Sequence, residues 1–258
     1  MPSQPSIRVS NLRKEFGPVT AIDGLDVTLD GPGIVGLVGP NGAGKTTLIQ
    51  CLLGLLRPTA GSTRINGTPS MGLSAADRRR IGYMPQSAAV YRDLTVRENV
   101  AFFASLYGVG GDAVEEAVDL VGLGDRTDAR VRELSGGMVR RTSLACTLVT
   151  DPLVVFLDEP TVGLDPALRA QLWDRFRQRR DEGRLLVVST HYLGEANNCD
   201  QVILLRDGAV LAFDDPERLV EQTGTATLSQ AFLSLLESHS ECVAGGIESG
   251  STSGGVGE

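Results

Sequence analysis

The sequence predicts an α/β fold with a mainly parallel sheet, and two observations lead to this prediction. Short apolar runs rich in Val, Ile and Leu, each followed by a glycine-rich or polar turn, recur at residues 34–38, 153–157, 185–189 and 202–205. Such runs are typical of strands buried on both faces of a parallel sheet. Helical stretches separate them, at residues 46–56, 167–180 and 192–198. Alternating strands and helices favour a parallel α/β sheet.

The first part of the chain predicts an antiparallel β subdomain. Residues 7–9 and 25–29 alternate apolar and polar side chains, and residues 64–67 continue this character. Such alternation is typical of antiparallel strands with one face in the core. We therefore expect a second sheet beside the parallel one.

Residues 87–150 predict an α-helical insert between two halves of the sheet. Thr95 and Glu98 fit a capping box, and apolar residues at helical spacing follow as far as Leu106. Residues 113–121 and 138–149 predict two further helices.

The end of the chain predicts little further structure. Residues 228–237 have the apolar spacing of one amphipathic helix, which we place in a short segment at 226–244. Residues 245–258 are rich in Gly and Ser and predict a disordered tail. The main domain is expected at residues 1–225.

The composition disfavours nucleic acid as a partner. The chain has 24 basic and 32 acidic residues, a net charge of −8 and a pI near 4.9, so it lacks a basic field. No segment approaches the ~18–20 apolar residues of a membrane-spanning helix, and the amino terminus lacks the apolar core of a signal peptide. The four cysteines lack metal-binding spacing and predict reduced thiols. We expect a cytoplasmic protein that is connected to a membrane only through another chain.

A phosphate-binding loop follows the first apolar run. The pattern GxxxxGK[ST] is matched by Gly39, Pro40, Asn41, Gly42, Ala43, Gly44, Lys45 and Thr46, and we add the next residue, Thr47, to the predicted nucleotide-binding set. Glycines let backbone N–H groups surround phosphate oxygens at the positive end of a helix. Lys45 is expected to reach the β- and γ-phosphates, and the Thr46 hydroxyl to bind Mg²⁺. A glycine-rich turn without function is the alternative, but the strand before the loop and the helix after it disfavour that interpretation.

A pair of carboxylates follows another predicted strand. Asp158 and Glu159 come directly after residues 153–157. A carboxylate at the end of a strand can hold the Mg²⁺ hydration shell, which is the role expected for Asp158. Glu159 is expected to polarise the attacking water as general base. Two solvated carboxylates at the start of a turn are the alternative.

Five further features occur in order along the chain: Phe16, Gln86, Leu134-Ser135-Gly136-Gly137, Gly163-Leu164-Asp165 and His191. Each alone is a weak signal, because a single aromatic, glutamine or histidine is more often structural. Together with the phosphate-binding loop and the carboxylate pair, they make the chain resemble the nucleotide-binding subunit of an ABC transporter over roughly residues 5–225. The resemblance implies a RecA-like P-loop NTPase core of ABC ATPase architecture, with ATP and Mg²⁺ bound.

The resemblance also implies a role for several single residues. Phe16 would stack on adenine, Gln86 would contact Mg²⁺ and face the membrane partner, and His191 would contact the γ-phosphate. Asp165 would lie in a loop that crosses a dimer interface.

The signature run implies a site shared between subunits. In the family two subunits, identical or different, pair head to tail. Ser135, Gly136 and Gly137 would then contact the γ-phosphate held by the other subunit. Met138 stands where the family often has glutamine. We expect ATP hydrolysis to survive this departure, because the serine and the glycines make the phosphate contact, and we expect the coupling of hydrolysis to transport to be affected more.

The resemblance favours an exporter. The short insert, the sequences at 83–86, 94–99, 161–166 and 190–193, and the lack of a large domain after residue 223 are similar to ATPases of drug, lipid and polysaccharide exporters. The alternatives are the ATPase of an importer, a soluble ABC ATPase that acts on ribosomes or nucleic acid, and a regulatory subunit without hydrolysis. The intact set of Lys45, Asp158, Glu159 and His191 disfavours the last of these.

Overall fold

The computed structural model describes residues 4–248, with side chains through Ser238, and these residues form two sheets. The first sheet has the strand order β2-β1-β4-β5 and is antiparallel throughout. Its strands are β1 (Ser6–Phe16), β2 (Val19–Asp30), β4 (Ala60–Ile65) and β5 (Thr68–Pro69). The predicted antiparallel subdomain is confirmed, and β1 and β2 are longer than the alternating segments that predicted them. Residues 66–67, which were predicted to continue the strand character, instead form the turn between β4 and β5.

The second sheet has the order β10-β9-β3-β8-β7-β6, and only the pair of β9 and β10 is antiparallel among its described strands. Its strands are β3 (Gly33–Val38), β6 (Ile81–Met84), β7 (Val154–Asp158), β8 (Leu185–Thr190), β9 (Gln201–Arg206) and β10 (Ala209–Asp214). The predicted mainly parallel sheet is confirmed. Its four central strands, β9, β3, β8 and β7, are those that the apolar runs predicted.

The order of the strands determines where the candidate site lies. β3 lies between β8 and β9, and the phosphate-binding loop leaves its carboxyl end. Val38 at that end pairs with Thr190, and Asp158 pairs with Ser189. Parallel strands present their carboxyl ends at one edge of a sheet, where ligands of such folds bind. The loop, the carboxylate pair and His191 therefore share this edge.

Three helices connect β6 to β7, as the predicted insert requires. They are α3 (Val96–Leu106), α4 (Gly111–Leu120) and α5 (Gly136–Leu148), and they pack against one another. Thr95 caps α3, because its hydroxyl accepts from Glu98 N while the Glu98 carboxylate accepts from Thr95 N, so the predicted capping box is confirmed. The remaining helices are α1 (Lys45–Leu52), α2 (Ala75–Arg78), α6 (Pro166–Asp181), α7 (Leu193–Ala196), α8 (Pro216–Thr223) and α9 (Leu228–Glu248).

Both faces of the main sheet are covered, which explains the continuous apolar runs. In β3, Ile34 and Val38 belong to a core shared with the helical insert and the C-terminal helices. Val35 and Leu37 belong to a second core, which lies around α1 and the antiparallel sheet. Burial on both faces removes the polar alternation that marks a half-exposed strand.

Some predicted boundaries were wrong. The first helix ends at Leu52 rather than residue 56, because Gly54 adopts a left-handed backbone conformation with φ 67°. The last helix continues to Glu248, past the predicted end at 244, so residues 245–248 are helical rather than disordered. The rest of the predicted tail, residues 249–258, lies outside the described residues. No helix in the described part of the chain is long and apolar enough to cross a bilayer.

Candidate active site

The phosphate-binding loop is held tightly between two strands. A Cβ atom added to Gly39 would lie 2.2 Å from the carbonyl oxygen of Leu205 on β9. A Cβ atom on Gly44, whose φ is +100°, would lie 2.5 Å from the carbonyl oxygen of Ala21 on β2. Glycine is therefore required at both positions, by close approach at Gly39 and by approach and backbone conformation at Gly44.

Lys45 begins α1 with its ammonium group inside the loop. Its Nζ donates to the carbonyl oxygens of Gly39, at 2.7 Å, and Pro40, at 3.0 Å. Burial lowers the pKa of Lys45, and the negative charges of Glu159 and Asp158 oppose this shift. A buried cation that has lost most of its solvent is well placed to bind an anion such as a phosphate.

Asp158 ends β7 with both carboxylate oxygens engaged. Thr46 Oγ1 donates to Oδ2 at 2.7 Å, and Ser189 Oγ donates to Oδ1 at 2.5 Å. The site was expected to hold Mg²⁺, and the grouping of Thr46, Asp158 and the nearby Gln86 supplies the oxygen donors that Mg²⁺ prefers. No cluster of three or more His, Cys, Asp or Glu side chains that suits a metal occurs in the described residues. Thr46, Asp158 and Gln86 nevertheless fit Mg²⁺, because this ion is usually held by one or two carboxylates together with substrate phosphates.

Glu159 has an unusual backbone and two side-chain partners. Its φ is +53°, a left-handed conformation that is uncommon for residues other than glycine. Gln86 Nε2 donates to Oε2 at 3.2 Å, and His191 Nδ1 lies 3.0 Å from Oε1. An ionised carboxylate only accepts hydrogen bonds, so this contact requires a proton on His191 Nδ1. The strained turn thus brings three of the predicted site residues into contact.

One pocket is lined by six of the nine residues predicted to bind nucleotide at positions 39–47, together with Gln86 and Glu159. Its lining consists of Ala21, Asn41, Gly42, Gly44, Lys45, Thr46, Thr47, Gln86 and Glu159. The structure therefore brings the loop, the glutamine and the carboxylate together, although they are far apart in sequence.

The signature residues lie outside this pocket. Ser135 and Gly136 are exposed at the start of α5, where Ser135 Oγ accepts from Met138 N at 3.3 Å. A Cβ atom on Gly136 would meet nothing within 4 Å, whereas one on Gly137 would lie 3.2 Å from the carbonyl oxygen of Gly163. The helix start is thus open to solvent and rests on the loop that contains Asp165.

The model of the ABC transporter family matches residues 22–162. The chain belongs to this family. It is 40% identical over 226 residues to a Nod factor export ATP-binding protein I of Burkholderia lata, covering 86% of this chain and 74% of that protein. It is also 40% identical over 221 residues to a probable multidrug ABC transporter ATP-binding protein of Escherichia coli, covering 83% of this chain but only 38% of that protein.

Solved structures agree with this assignment. The ATP-binding subunit of an ABC transporter matches with a TM-score of 0.79 and 28% identity, covering 89% of this chain and 99% of that one. A bacterial Atm1-family ABC exporter with ATP bound matches with the same TM-score over 89% of this chain and 41% of that one. Its 23% identity supports the fold alone. The chain is an ATP-binding subunit of the ABC family and an ATPase, and its P-loop NTPase fold is confirmed.

Two residues of this ABC ATPase site were not predicted. Ser189 donates to Asp158 and accepts from Glu159 N at 2.9 Å. Arg140 on α5 is half-buried, and its Nη2 donates to the carbonyl oxygen of Asp158 at 3.3 Å. Burial lowers the pKa of Arg140, against the attraction of Glu159 and Asp158. The sequence signals were a hydroxyl at the end of a buried strand and an arginine one turn into the signature helix.

Two residues of the ABC resemblance lie away from the pocket. Phe16 ends β1 with 47% of its surface exposed, and Lys14 Nζ lies 4.8 Å from the centroid of its ring. Asp165 caps α6 by accepting from Leu168 N at 2.9 Å. Adenine stacking by Phe16 and an interface role for Asp165 remain predictions.

Proposed function

We propose that this ATPase powers export through a separate membrane permease, and that ATP closes two copies, or one copy and a related subunit, head to tail. The relatives described above are named for Nod factor export and multidrug transport. Export is therefore favoured over import. The net charge of −8 disfavours the soluble alternative that acts on ribosomes or nucleic acid. The subunit would lie at the cytoplasmic face of the membrane.

The observation on which the chemistry rests is the position of Glu159 in the pocket of the phosphate-binding loop. The carboxylate is buried and lies beside Gln86 and His191. In the proposed reaction Glu159 accepts a proton from the water that attacks the γ-phosphate. His191 holds Glu159 in orientation and contacts the γ-phosphate, while Lys45 stabilises negative charge on the phosphates.

Thr46, Asp158 and Gln86 are proposed to hold Mg²⁺. When bound, the ion would neutralise charge that develops on the phosphate oxygens. Thr46 Oγ1 and Asp158 Oδ2 lie within hydrogen-bonding distance of each other, at 2.7 Å.

The exposed start of α5 supports a shared site. Unpaired N–H groups and the helix dipole favour a phosphate at a helix N-terminus. Ser135, Gly136 and Gly137 do not line the pocket of their own chain, so they are available to a nucleotide held by a second subunit. ATP would then bind the two surfaces together, and hydrolysis would weaken the contact.

A groove beside Gln86 is the proposed contact for the permease. It lies between the main sheet and the helical insert, and it includes Leu55, Tyr83, Pro85, Phe103 and Tyr107. Its mainly apolar lining suits an amphipathic helix, which is one of the common modes of peptide recognition. Movement of such a helix would reach the active site through Gln86, the residue after Pro85.

The general-base assignment is tested by Glu159→Gln, with Glu221→Gln as a matched control at an exposed position. We expect Glu159→Gln to lose hydrolysis by about 10²–10⁴-fold, to retain ATP and to form a stable dimer. Hydrolysis can be followed by phosphate release and dimer formation by light scattering. Hydrolysis at the wild-type rate in Glu159→Gln would contradict the assignment.

The shared site is tested by mixing two inactive variants. A heterodimer of Ser135→Ala with Lys45→Ala has one composite site with both residues intact, and we expect this site to restore part of the activity. A confirmed heterodimer without activity would contradict the shared-site arrangement. Export is tested by identifying the partner, and co-purification with an importer-type permease and a periplasmic binding protein would contradict it.

A further inference from the structure

Glu195 on α7 is a buried carboxylate that the proposed chemistry does not use. Its side chain is 5% exposed. Thr161 Oγ1 donates to Oε2 at 2.9 Å, and Thr190 Oγ1 donates to the same oxygen at 2.7 Å. A buried charge is costly unless it is paired and hydrogen-bonded, so its partners indicate what the carboxylate does.

Both threonines adjoin residues of the active site. Thr161 lies two residues after Glu159, and Thr190 directly precedes His191. The Thr190 hydroxyl also accepts from Tyr192 N at 3.0 Å, so the backbone on both sides of His191 is held. One oxygen of Glu195 therefore holds the two chain segments that carry Glu159 and His191.

The second oxygen of Glu195 faces Arg169 on α6, which in turn contacts the loop expected at the dimer interface. Arg169 Nε lies 3.4 Å from Oε1, an ion pair without hydrogen-bond geometry. Arg169 Nη2 donates to the carbonyl oxygen of Leu164 at 3.3 Å, and its guanidinium carbon lies 5.7 Å from the centroid of the Tyr192 ring. The pair thus joins the loop at 163–165 to the segment that contains His191.

We propose that Glu195 is a positioning residue: it fixes the hydrogen bond between His191 Nδ1 and Glu159. The catalytic importance of this geometry rests on the proposed roles of Glu159 and His191. The contacts of Glu195 and the hydrogen bond between His191 and Glu159 are formed within one chain, so they can be tested separately from hydrolysis.

The test uses the small number of histidines. The sequence has two, so His239→Gln leaves His191 as the only histidine. Nitrogen-15 NMR of histidine-labelled, nucleotide-free protein in this background then reports the protonation and hydrogen bonding of His191 Nδ1. Thr161→Val is the main variant, because Thr161 does not adjoin His191 in sequence and its hydroxyl donates to Glu195. Thr63→Val is the matched control, since Thr63 is also buried and hydrogen-bonded, to the carbonyl oxygen of Cys51 at 3.2 Å.

We expect Thr161→Val and Glu195→Gln each to shift the His191 Nδ1 signal and to lower kcat about tenfold or more, with KM for ATP within about twofold. Combining them should add little, because both act through one carboxylate. Thr63→Val should lower stability at most and leave both readouts unchanged.

An unchanged His191 signal in Thr161→Val and Glu195→Gln would overturn the proposal, as would equal effects of Thr63→Val on signal and kcat. A different result is expected if His191 has no catalytic role. The His191 signal would then shift as expected in Thr161→Val and Glu195→Gln, while His191→Ala would retain full hydrolysis; Glu195 would still position His191, but the proposed role of His191 in hydrolysis would be wrong.

Discussion

Ser189 provides the sharpest test of how the end of β7 is stabilised. Its side chain is 0% exposed, and its hydroxyl donates to the buried carboxylate of Asp158. Ser189→Ala removes that donor without a large change in volume. A hydrogen bond to a charged group contributes about 1.5–3 kcal/mol. The second contact of the hydroxyl, with Glu159 N, is partly replaceable, because the same N–H also lies 3.2 Å from the Ser189 carbonyl oxygen. We therefore expect a loss of about 2–3 kcal/mol in the free energy of unfolding.

Ser70 offers a control with the same chemical change. It is 1% exposed, and its hydroxyl has no hydrogen-bond partner among the residues that the structure describes. Removing a buried hydroxyl without a partner is neutral or stabilising. Ser70→Ala and Ser189→Ala thus differ mainly in the contact with Asp158, and the expected difference between them is about 3 kcal/mol.

The difference can be measured by thermal and urea unfolding of the nucleotide-free protein. For a chain of this size, 1 kcal/mol corresponds to about 2–4 °C in Tm, so Ser189→Ala should melt about 6–12 °C below Ser70→Ala. Its hydrolysis should also fall, because Asp158 loses part of its orientation. Equal midpoints for the two variants would refute the reasoning.

Three further predictions concern other parts of the molecule. Gly61→Ala places a Cβ atom 2.1 Å from the carbonyl oxygen of Asn11, whereas Gly67→Ala, also at positive φ, meets open space. We expect Gly67→Ala to lower the free energy of unfolding, measured in urea, by about 1–2 kcal/mol, and Gly61→Ala to lower it clearly more. Burial raises the pKa of Cys146 to about 12, so its alkylation by iodoacetamide, followed by mass spectrometry, should stay slow at pH 8 and become complete only in denaturant; fast labelling of the folded protein would contradict this. Arg140→Met removes the hydrogen bond from α5 to the carbonyl oxygen of Asp158 at the end of β7. We expect kcat to fall about 10–100-fold with the Kd for ATP unchanged, whereas loss of ATP binding would show that the phosphate-binding loop is disturbed.

The strands of the main sheet could be predicted where both of their faces are buried. β3, β7 and β8 are apolar along nearly their whole length, and such short continuous apolar runs indicate strands buried on both faces. β10 was missed because every one of its residues is only partly buried. α8 was also missed, although Asp215 and Pro216 at its start and Gly224 at its end are ordinary cap residues. Partial burial leaves neither an apolar run nor a clear alternation in the sequence.

The same contrast holds for the site. The phosphate-binding loop is contiguous, so its motif is visible in the sequence, and the carboxylate pair follows directly from the strand before it. Ser189, Arg140 and Glu195 could not be predicted, because their contacts depend on the register of β7 with β8 and on how α5 and α6 pack. Such contacts join segments that are distant in sequence, and their residue types are common on ordinary helices and strands.

The central position of β3 constrains when the nucleotide pocket forms during synthesis. Gly33 pairs with Leu185, and Val35 pairs with Gln201, so both neighbours of this early strand are made late. Gly208 then joins the phosphate-binding loop to β2, since its N–H donates to the Ala43 carbonyl oxygen at 3.3 Å and its carbonyl oxygen accepts from Asp23 N at 2.9 Å. Contacts of such long sequence separation form late in folding. A nascent or truncated chain that ends before β9 therefore has the whole P-loop sequence but lacks the strand and the turn that hold it, and we expect ATP to stabilise only the nearly complete subunit.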